Sequence, residues 1–162
     1  MANHVDRILD QWHSEKPDLD VSPMAVIGRL TRAAVAVESR LAKTFARHAL
    51  DSASFDVLAT LLRSGAPYRI APIELARDAM ISTSAVAQRL NKLETRGLVS
   101  REANPNDGRG TLVALTDSGR ELIEAALPDH LETEHAIIAA LSVEEQANLA
   151  VLLQRIHKAA SS

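Results

Sequence analysis

Four polar side chains recur at helical spacing between residues 83 and 96, opposite an apolar stripe. Hydroxyl groups near a helix N-terminus can bind phosphate, and the amides of Gln and Asn offer a donor and an acceptor suited to adenine edges in the major groove. By itself this pattern fits an ordinary solvated helix face equally well. The four residues are Ser84, Gln88, Asn91 and Thr95, and we add Thr83 and Lys92 as candidate DNA contacts.

A second polar group lies in residues 104–110, which read N-P-N-D-G-R-G between two short apolar runs. This pattern predicts a β-hairpin with a long, polar tip. Asp107 is placed to accept a hydrogen bond from Arg109 and hold it extended, and Arg is the side chain best suited to a narrow A·T-rich minor groove. Alternatively, the pair is a local salt bridge that only shapes the hairpin.

The segment before this hairpin predicts two helices joined by a short turn. Residues 72–78 form the first helix, residues 79–81 the turn, and Ser82 caps a second helix that ends at Gly97. Two helices followed by a basic-tipped hairpin are typical of a winged helix-turn-helix, which reads DNA.

Helices are also predicted on both sides of this element, so the fold class is mainly α. An amphipathic helix covers residues 5–13. Ser22 is the predicted N-cap, with Pro23 at the first helical position, of a long helix to about residue 48, and Ser52 or Ser54 starts another through Arg63. After the hairpin, one helix reaches Leu127, where Pro128 bends or restarts it, and a capping box at residues 142–145 opens the last.

We interpret residues 1–162 as one domain. Residues 52–116 form the DNA-binding lobe, and residues 3–48 and 117–159 are mainly dimerisation helices. These flanking helices carry more apolar surface than a winged helix can cover, which favours a two-fold homodimer. The alternative is that they enlarge a monomeric core.

The composition narrows the class of protein further. The chain has 162 residues, of which 46% are hydrophobic and 2% aromatic, so the predicted core is aliphatic. No apolar run approaches ~18 residues and residues 1–7 lack a signal-peptide pattern, so we expect a cytoplasmic protein. The absence of Cys excludes disulfides, thiol redox sensing and Cys-ligated zinc.

The net charge of −3 hides a strongly uneven distribution along the chain. Residues 29–47 carry five basic residues against one acid, and residues 63–109 carry eight against five, whereas residues 117–145 carry eight acids against one Arg. Phosphate contacts need only a local positive surface, so the overall charge does not argue against DNA binding.

Other function classes find little support in the sequence. There is no Gly-rich phosphate loop, Cys nucleophile or evident Ser/His/Asp arrangement, so we expect neither an enzyme nor a cofactor. The six His include no i,i+4 pair, which argues against a metal site. A winged-helix module that binds proteins without specific DNA binding is the main alternative, which a salt-dependent gel shift would test.

The hairpin and the helix before it together resemble a known family. D-x-R, then a strand ending in L-T and a Gly three residues after the Thr, is similar to the multiple-antibiotic-resistance regulator (MarR) family, as is I-S-T-S-A-V-A-Q-R-L-N-K-L-E-T-R-G-L-V. The resemblance covers about residues 22–158. It implies a homodimeric winged-helix repressor that leaves its operator when it binds a small molecule.

Arg89 breaks the pattern of the second helix, because it lies at the edge of the apolar stripe where the family usually has an aliphatic residue. A buried cation needs a partner or an anionic ligand. The candidate residues around Arg89, as partners or as further contacts to such a ligand, are Asp56, Arg101 and Trp12. Asp56 lies inside an apolar run, Arg101 at the end of the first wing strand, and Trp12 on the extra N-terminal helix.

These four residues match the ligand set of the urate-responsive branch of the family, which also has an added N-terminal helix. The resemblance implies a planar anion that stacks on the Trp12 indole while guanidinium groups bind its anionic edge. Alternatively, Asp56 and Arg89 form a structural ion pair and Trp12 belongs to the core. Urate, tricarboxylates such as trans-aconitate and aromatic acids all remain candidate effectors.

Overall fold

A computed structural model describes residues 3–80, 82–105 and 110–162, with Thr83 described by its backbone only. These residues are mostly helical and include a small antiparallel sheet, which confirms the predicted fold class. The elements are α1 (His4–Glu15), α2 (Ser22–Arg47), α3 (Ser52–Arg63), β1 (Arg69–Ile70), α4 (Pro72–Asp78), α5 (Thr83–Thr95), β2 (Val99–Ala103), β3 (Thr111–Leu115), α6 (Asp117–Ile138) and α7 (Val143–Ala160).

The chain divides into two compact units, Met1–Arg40 and Leu41–Ser162. In the first unit, Asn3 and Asp6 form a capping box that starts α1, and Asp6 also pairs with Arg29 of α2 at 2.5 Å. Val5 is buried near Gly28, where a Cβ atom would lie 3.5 Å from the Val5 side chain. α1 therefore packs on α2 at Val5, and the packing leaves room for a Cβ atom at position 28.

The core of the second unit is built around α3, which packs against α4, α5, α6 and β3. An aliphatic core was expected from the composition, and its central residues are indeed Leu, Val and Ile. The apolar side chains with no exposed surface are Val57, Leu58 and Leu61 of α3, Leu75 of α4, Leu93 of α5, Val113 of β3 and Ile123 of α6.

The three strands form an antiparallel sheet in the order β1-β3-β2. β2 and β3 form the predicted hairpin, whose register runs from Val99 opposite Leu115 to Ala103 opposite Thr111. The two-residue strand β1 pairs with Ala114 and Val113 and was not predicted. Two residues are too few to show an alternating pattern, so β1 exists only through its pairing with β3.

The close approach of α6 to the end of α5 explains the Gly three residues after Thr116. The Thr116 hydroxyl accepts the N–H of Gly119 at 3.0 Å and donates to the Gly97 carbonyl at 2.7 Å. A Cβ atom on Gly119 would lie 1.9 Å from the Leu98 carbonyl oxygen, so only glycine fits there. This joint fixes the end of α5 to the start of α6.

Two helix boundaries differ from those expected. Pro128 lies inside α6, which continues to Ile138 instead of ending or restarting at residue 127. Contacts on both sides of Pro128 hold the helix: Ile123 is buried before it, and after it Thr133 forms a hydrogen bond to Thr44 at 2.7 Å. Ser22 is the first residue of α2 and not its cap, because Asp20 accepts the Ser22 N–H at 2.9 Å.

Within the described residues, no single helix is long and apolar enough to cross a membrane. α6 and α7 pass that test only as a pair, and they are bent by 99° at their junction.

Candidate nucleic-acid interface and anion site

The helix α5 presents its polar face outward from the second unit. Ser82 caps it by accepting the N–H of Ala85, and Val86, Leu90 and Leu93 are buried in the core. This orientation follows from the apolar stripe, as the sequence predicted. The exposed residues on the other side include Ser84, Gln88, Asn91, Lys92 and Thr95.

The turn between α4 and α5 is held by α3. A carboxylate oxygen of Asp56 accepts the N–H of Met80 at 2.6 Å, and Arg63 donates to the Asp78 carbonyl. An acid inside the apolar run of α3 is thus explained by a backbone group that it satisfies. Asp56 positions the turn that precedes the candidate reading helix.

Two cations of α5 share a single carboxylate at the start of α3. Asp51 accepts a hydrogen bond from the Lys92 ammonium at 2.9 Å and forms an ion pair with Arg89 at 3.3 Å. Its other oxygen caps α3 by accepting the N–H of Ser54 at 2.9 Å. Asp51 therefore both starts α3 and fastens α5 to it.

The surroundings of Asp51 favour its ionised form. Partial burial acts to raise the pKa of Asp51, but the hydrogen bonds from Lys92 and Ser54 and the charge of Arg89 outweigh it and lower the pKa from 3.8 to about 2. Asp51 therefore carries a full negative charge at neutral pH.

Arg101 connects β2 to the polar face of α5. Its guanidinium forms an ion pair with Glu94 and donates to Asn91 at 2.7 Å. A guanidinium can only donate, so the Asn91 atom that it contacts must be the amide oxygen. The Asn91 amide nitrogen is then the group available to a further partner, such as an acceptor on a base edge.

Arg101 also borders an apolar cleft of about 540 Å³ in the second unit. A cation at the edge of an apolar cleft suits a small aromatic anion, whose ring and charge need different surroundings. The cleft is lined by Pro72, Ile73 and Ala76 of α4, Val86, Ala87 and Leu90 of α5, and Arg101 and Thr111 of the wing strands.

The structure places the four predicted ligand residues as follows. Trp12 belongs to the first unit, where its 39% exposed side chain borders a groove with residues 15–19. In the second unit, Asp56, Arg89 and Arg101 each have a different partner, and within the described residues no hydrogen bond or ion pair joins them to one another.

The alternative interpretation, a structural ion pair between Asp56 and Arg89, is wrong, and so is the burial expected of Arg89. Its side chain is 34% exposed and pairs with Asp51. Asp51 lies at the start of α3 opposite the Arg89–Lys92 pair, whereas Asp56 is more than one turn further along and reaches the α4–α5 turn. Asp51 was not selected from the sequence, because Ser52 and Ser54 also fit the start of α3. The partners of Asp51 are about 40 residues away in the chain.

Three predicted DNA contacts are not described by the structure. Asp107 and Arg109 lie in the undescribed segment 106–109, and Thr83 is described by its backbone only. Their predicted roles therefore rest on the sequence. The hairpin that carries the segment closes through a hydrogen bond from the Asn104 N–H to the Gly110 carbonyl at 2.8 Å.

A helix-turn-helix with an outward polar face on its second helix, followed by an antiparallel hairpin, defines a winged helix-turn-helix DNA-binding domain. Residues 50–110 match the family model described as MarR family. The chain is also 41% identical over 154 residues to the HTH-type transcriptional regulator PecS of Dickeya dadantii (strain 3937), covering 95% of this chain and 93% of PecS. The chain belongs to the MarR family of transcriptional regulators.

Solved structures of the family share this fold. Sco3205 of Streptomyces coelicolor, solved in complex with DNA, has a TM-score of 0.78 and 26% identity, covering 87% of this chain and 92% of Sco3205. The Bordetella bronchiseptica protein BpsR, whose DNA binding is regulated by 6-hydroxynicotinic acid, has a TM-score of 0.73 and 25% identity over 82% of this chain and 92% of BpsR. The predicted family and fold are confirmed, and the relatives are regulators rather than enzymes.

Proposed function

We propose that this regulator is a repressor, which binds a pseudo-palindromic operator as a homodimer and releases it when a small planar anion binds. The observation that carries the proposal is the position of the candidate anion-binding cations. Arg89 is part of α5, and Arg101 holds the side chain of Asn91 on the same helix. An anion that engages either cation therefore acts directly on the candidate reading face.

The DNA-reading half of the proposal is supported by the exposed amides and hydroxyls of α5. A protein of similar fold, Sco3205, was solved in complex with DNA. The test is selection of binding sites from random DNA, followed by gel shifts at increasing KCl. We expect a two-fold symmetric motif, and affinity that falls as salt rises.

Gln88→Ala should relax the base preference, because the amide would no longer contact a base edge. Gln154→Ala is the matched control, since Gln154 is an exposed Gln of α7 and should leave the selected motif unchanged. If no sequence is enriched, the alternative of a winged-helix protein-binding module gains support.

The homodimer is supported by exposed apolar side chains on helices outside the DNA-binding lobe. Several exposed apolar side chains on one helix are typical of an interaction site. A second copy in two-fold symmetry would cover it and would place two reading helices about one DNA turn, ~34–36 Å, apart. The exposed residues include Met24, Val26, Ile27 and Val35 of α2 and Leu149, Leu152 and Leu153 of α7.

The ligand class follows from the cations. Arg89 and Arg101 suit the anionic edge of urate, a tricarboxylate such as trans-aconitate or an aromatic acid. Asp56 belongs to the proposed set because its carboxylate holds the α4–α5 turn, so repulsion by an anion would disturb that turn. The assignment of Trp12 rests on the family resemblance.

Thermal-shift screening against urate, trans-aconitate and benzoate tests this ligand class. Trp12 is the only Trp, so its fluorescence reports directly on whether the bound ligand stacks on it. Quenching by a ligand that also stabilises the protein would support the Trp12 assignment. A stabilising ligand that leaves the fluorescence unchanged would exclude it.

The apolar cleft beside Arg101 is a second candidate location for the ligand, besides the site at Arg89. Its apolar lining beside one cation favours an aromatic carboxylate over a tricarboxylate. Ala87→Met, which narrows the cleft, separates the locations. It should weaken ligand binding if the cleft is occupied and have no effect on ligand affinity if Arg89 is the main contact.

A further inference from the structure

Asp51 has an unusual position for an N-cap residue, because it faces two cations of the candidate reading helix. Lys92 and Arg89 lie one turn apart on α5 and both reach the same carboxylate, at 2.9 and 3.3 Å. The three side chains are 34–50% exposed, so water and other anions have access to the cluster.

The cluster has two positive charges and one negative charge. Lys92 was predicted to contact DNA and Arg89 to contact an anionic ligand, yet both are bound to Asp51 in the structure. A DNA phosphate must therefore compete with Asp51 for Lys92. The competition is feasible because an exposed ion pair has a small net strength.

We propose that Asp51 is a positioning residue that competes with DNA phosphate for Lys92 and thereby lowers the affinity of the ligand-free protein for its operator. This inference rests on the proposed function, since it requires α5 to face DNA. It also links the two candidate sites. When an anion engages Arg89, Asp51 is left to Lys92 alone and holds it more firmly away from phosphate.

Asp51→Asn is the substitution that isolates this effect. Asn caps a helix about as well as Asp, so the hydrogen bond from the Ser54 N–H is kept while the charge that holds Lys92 is removed. We expect tighter operator binding by roughly 2- to 30-fold for a dimer at low salt, the range implied by the weak strength of exposed ion pairs.

The salt dependence gives a second readout. A freed Lys92 that contacts phosphate adds one released counterion per chain, so the slope of log affinity against log KCl should steepen by about 0.9 per chain. Removing any acidic side chain near DNA also raises the affinity, because it removes long-range repulsion between that charge and the phosphates. A double-mutant cycle with Lys92→Met separates that general effect from the specific one.

The experiment measures operator affinity between 50 and 300 mM KCl for the wild type, Asp51→Asn, Lys92→Met and the double variant, using the DNA sequence selected by the wild type. The proposal predicts that most of the gain from Asp51→Asn disappears when Lys92 is Met. An equal gain in both backgrounds, or weaker binding by a fully folded Asp51→Asn, overturns it. If the wild type selects no DNA sequence, the proposed function itself fails and this inference fails with it.

Discussion

Helices α3 and α7 obey the same local rules but differ in what covers them. Both begin with a capped first turn, at Asp51 and at Ser142. α3 buries six of its 12 residues, whereas α7 buries none of its 18. Other elements of the same chain cover α3, because α4, α5, α6 and β3 pack against it.

Helix formation and helix burial are therefore separate requirements. The cap and periodicity of α7 are enough to define the helix, but much of its apolar stripe stays exposed within the described second unit. Most of the stability of a protein helix comes from packing of its apolar face. We therefore expect the DNA-binding lobe to fold from its own core and α7 to require a second copy.

The largest effect should come from a charge on the exposed stripe of α7. Leu152→Glu should prevent dimerisation, because Leu152 is 51% exposed and lies on the proposed interface. Operator affinity should fall by about 100-fold or more, since the second half-site no longer contributes. Sedimentation velocity and gel shifts measure the two effects.

Gln154→Glu is the control for that substitution, because it adds the same charge to the opposite face of α7. It should leave the dimer and the operator affinity unchanged. A Leu152→Glu protein that stays dimeric and binds DNA normally would contradict the assignment of this face.

A methyl group at the α5–α6 joint should destabilise the lobe itself. Gly119→Ala places a Cβ atom against the Leu98 carbonyl, and overpacking of this kind costs about 1–3 kcal/mol or more. Urea unfolding measures the loss. The exposed neighbour Ser118→Ala should have little effect, and equal stability of the two variants would show that the close contact is easily relieved.

The wing tip should contribute to DNA affinity without affecting stability. Arg109→Ala should weaken operator binding by about 1–3 kcal/mol, with the greatest loss on sites that have A·T-rich flanks. Gel shifts on operators with A·T-rich and G·C-rich flanks test this. The same affinity as the wild type on both would mean that Arg109 does not enter the minor groove.

The smallest effect concerns acid stability and Asp51. The pKa of Asp51 is lowered in the folded state, so its contribution to stability is present above pH 3.8 and is lost as the pH falls toward about 2. The side chain is 37% exposed, so we expect less than about 1 kcal/mol. Urea midpoints between pH 5 and pH 2 should fall less in Asp51→Asn than in the wild type. Parallel curves would contradict this role.

Local signals in the sequence predicted most of the lobe. Pro72 at the start of α4, Ser82 before α5 and Thr116 before α6 mark the observed helix starts, because caps act within one turn. Long-range pairing was not predictable in the same way. β1 depends on β3, more than 40 residues later, and periodicity gives no information about such partners.

The candidate site shows the same limit. Periodicity correctly placed the polar face of α5 on the outside, but it could not show that Asp51 and not Asp56 would pair with Arg89. The choice depends on how α3 and α5 pack, which brings the start of α3 beside residues 89–92. The ligand roles of Trp12, Asp56, Arg89 and Arg101 stay predictions.

The most direct test of ligand-controlled DNA binding is operator affinity with and without urate, trans-aconitate or benzoate, in the wild type and in Arg89→Ala. We expect one of these anions to release the wild type from the operator. A ligand that prefers the unbound form by ~100-fold supplies about 2.7 kcal/mol per site. Arg89→Ala should remain folded and dimeric. It should bind the operator somewhat more weakly before ligand is added, because Asp51 is left to Lys92 alone, and ligand should not weaken that binding further. A further loss of operator affinity when ligand is added to Arg89→Ala would show that the ligand acts elsewhere and that this mechanism is wrong.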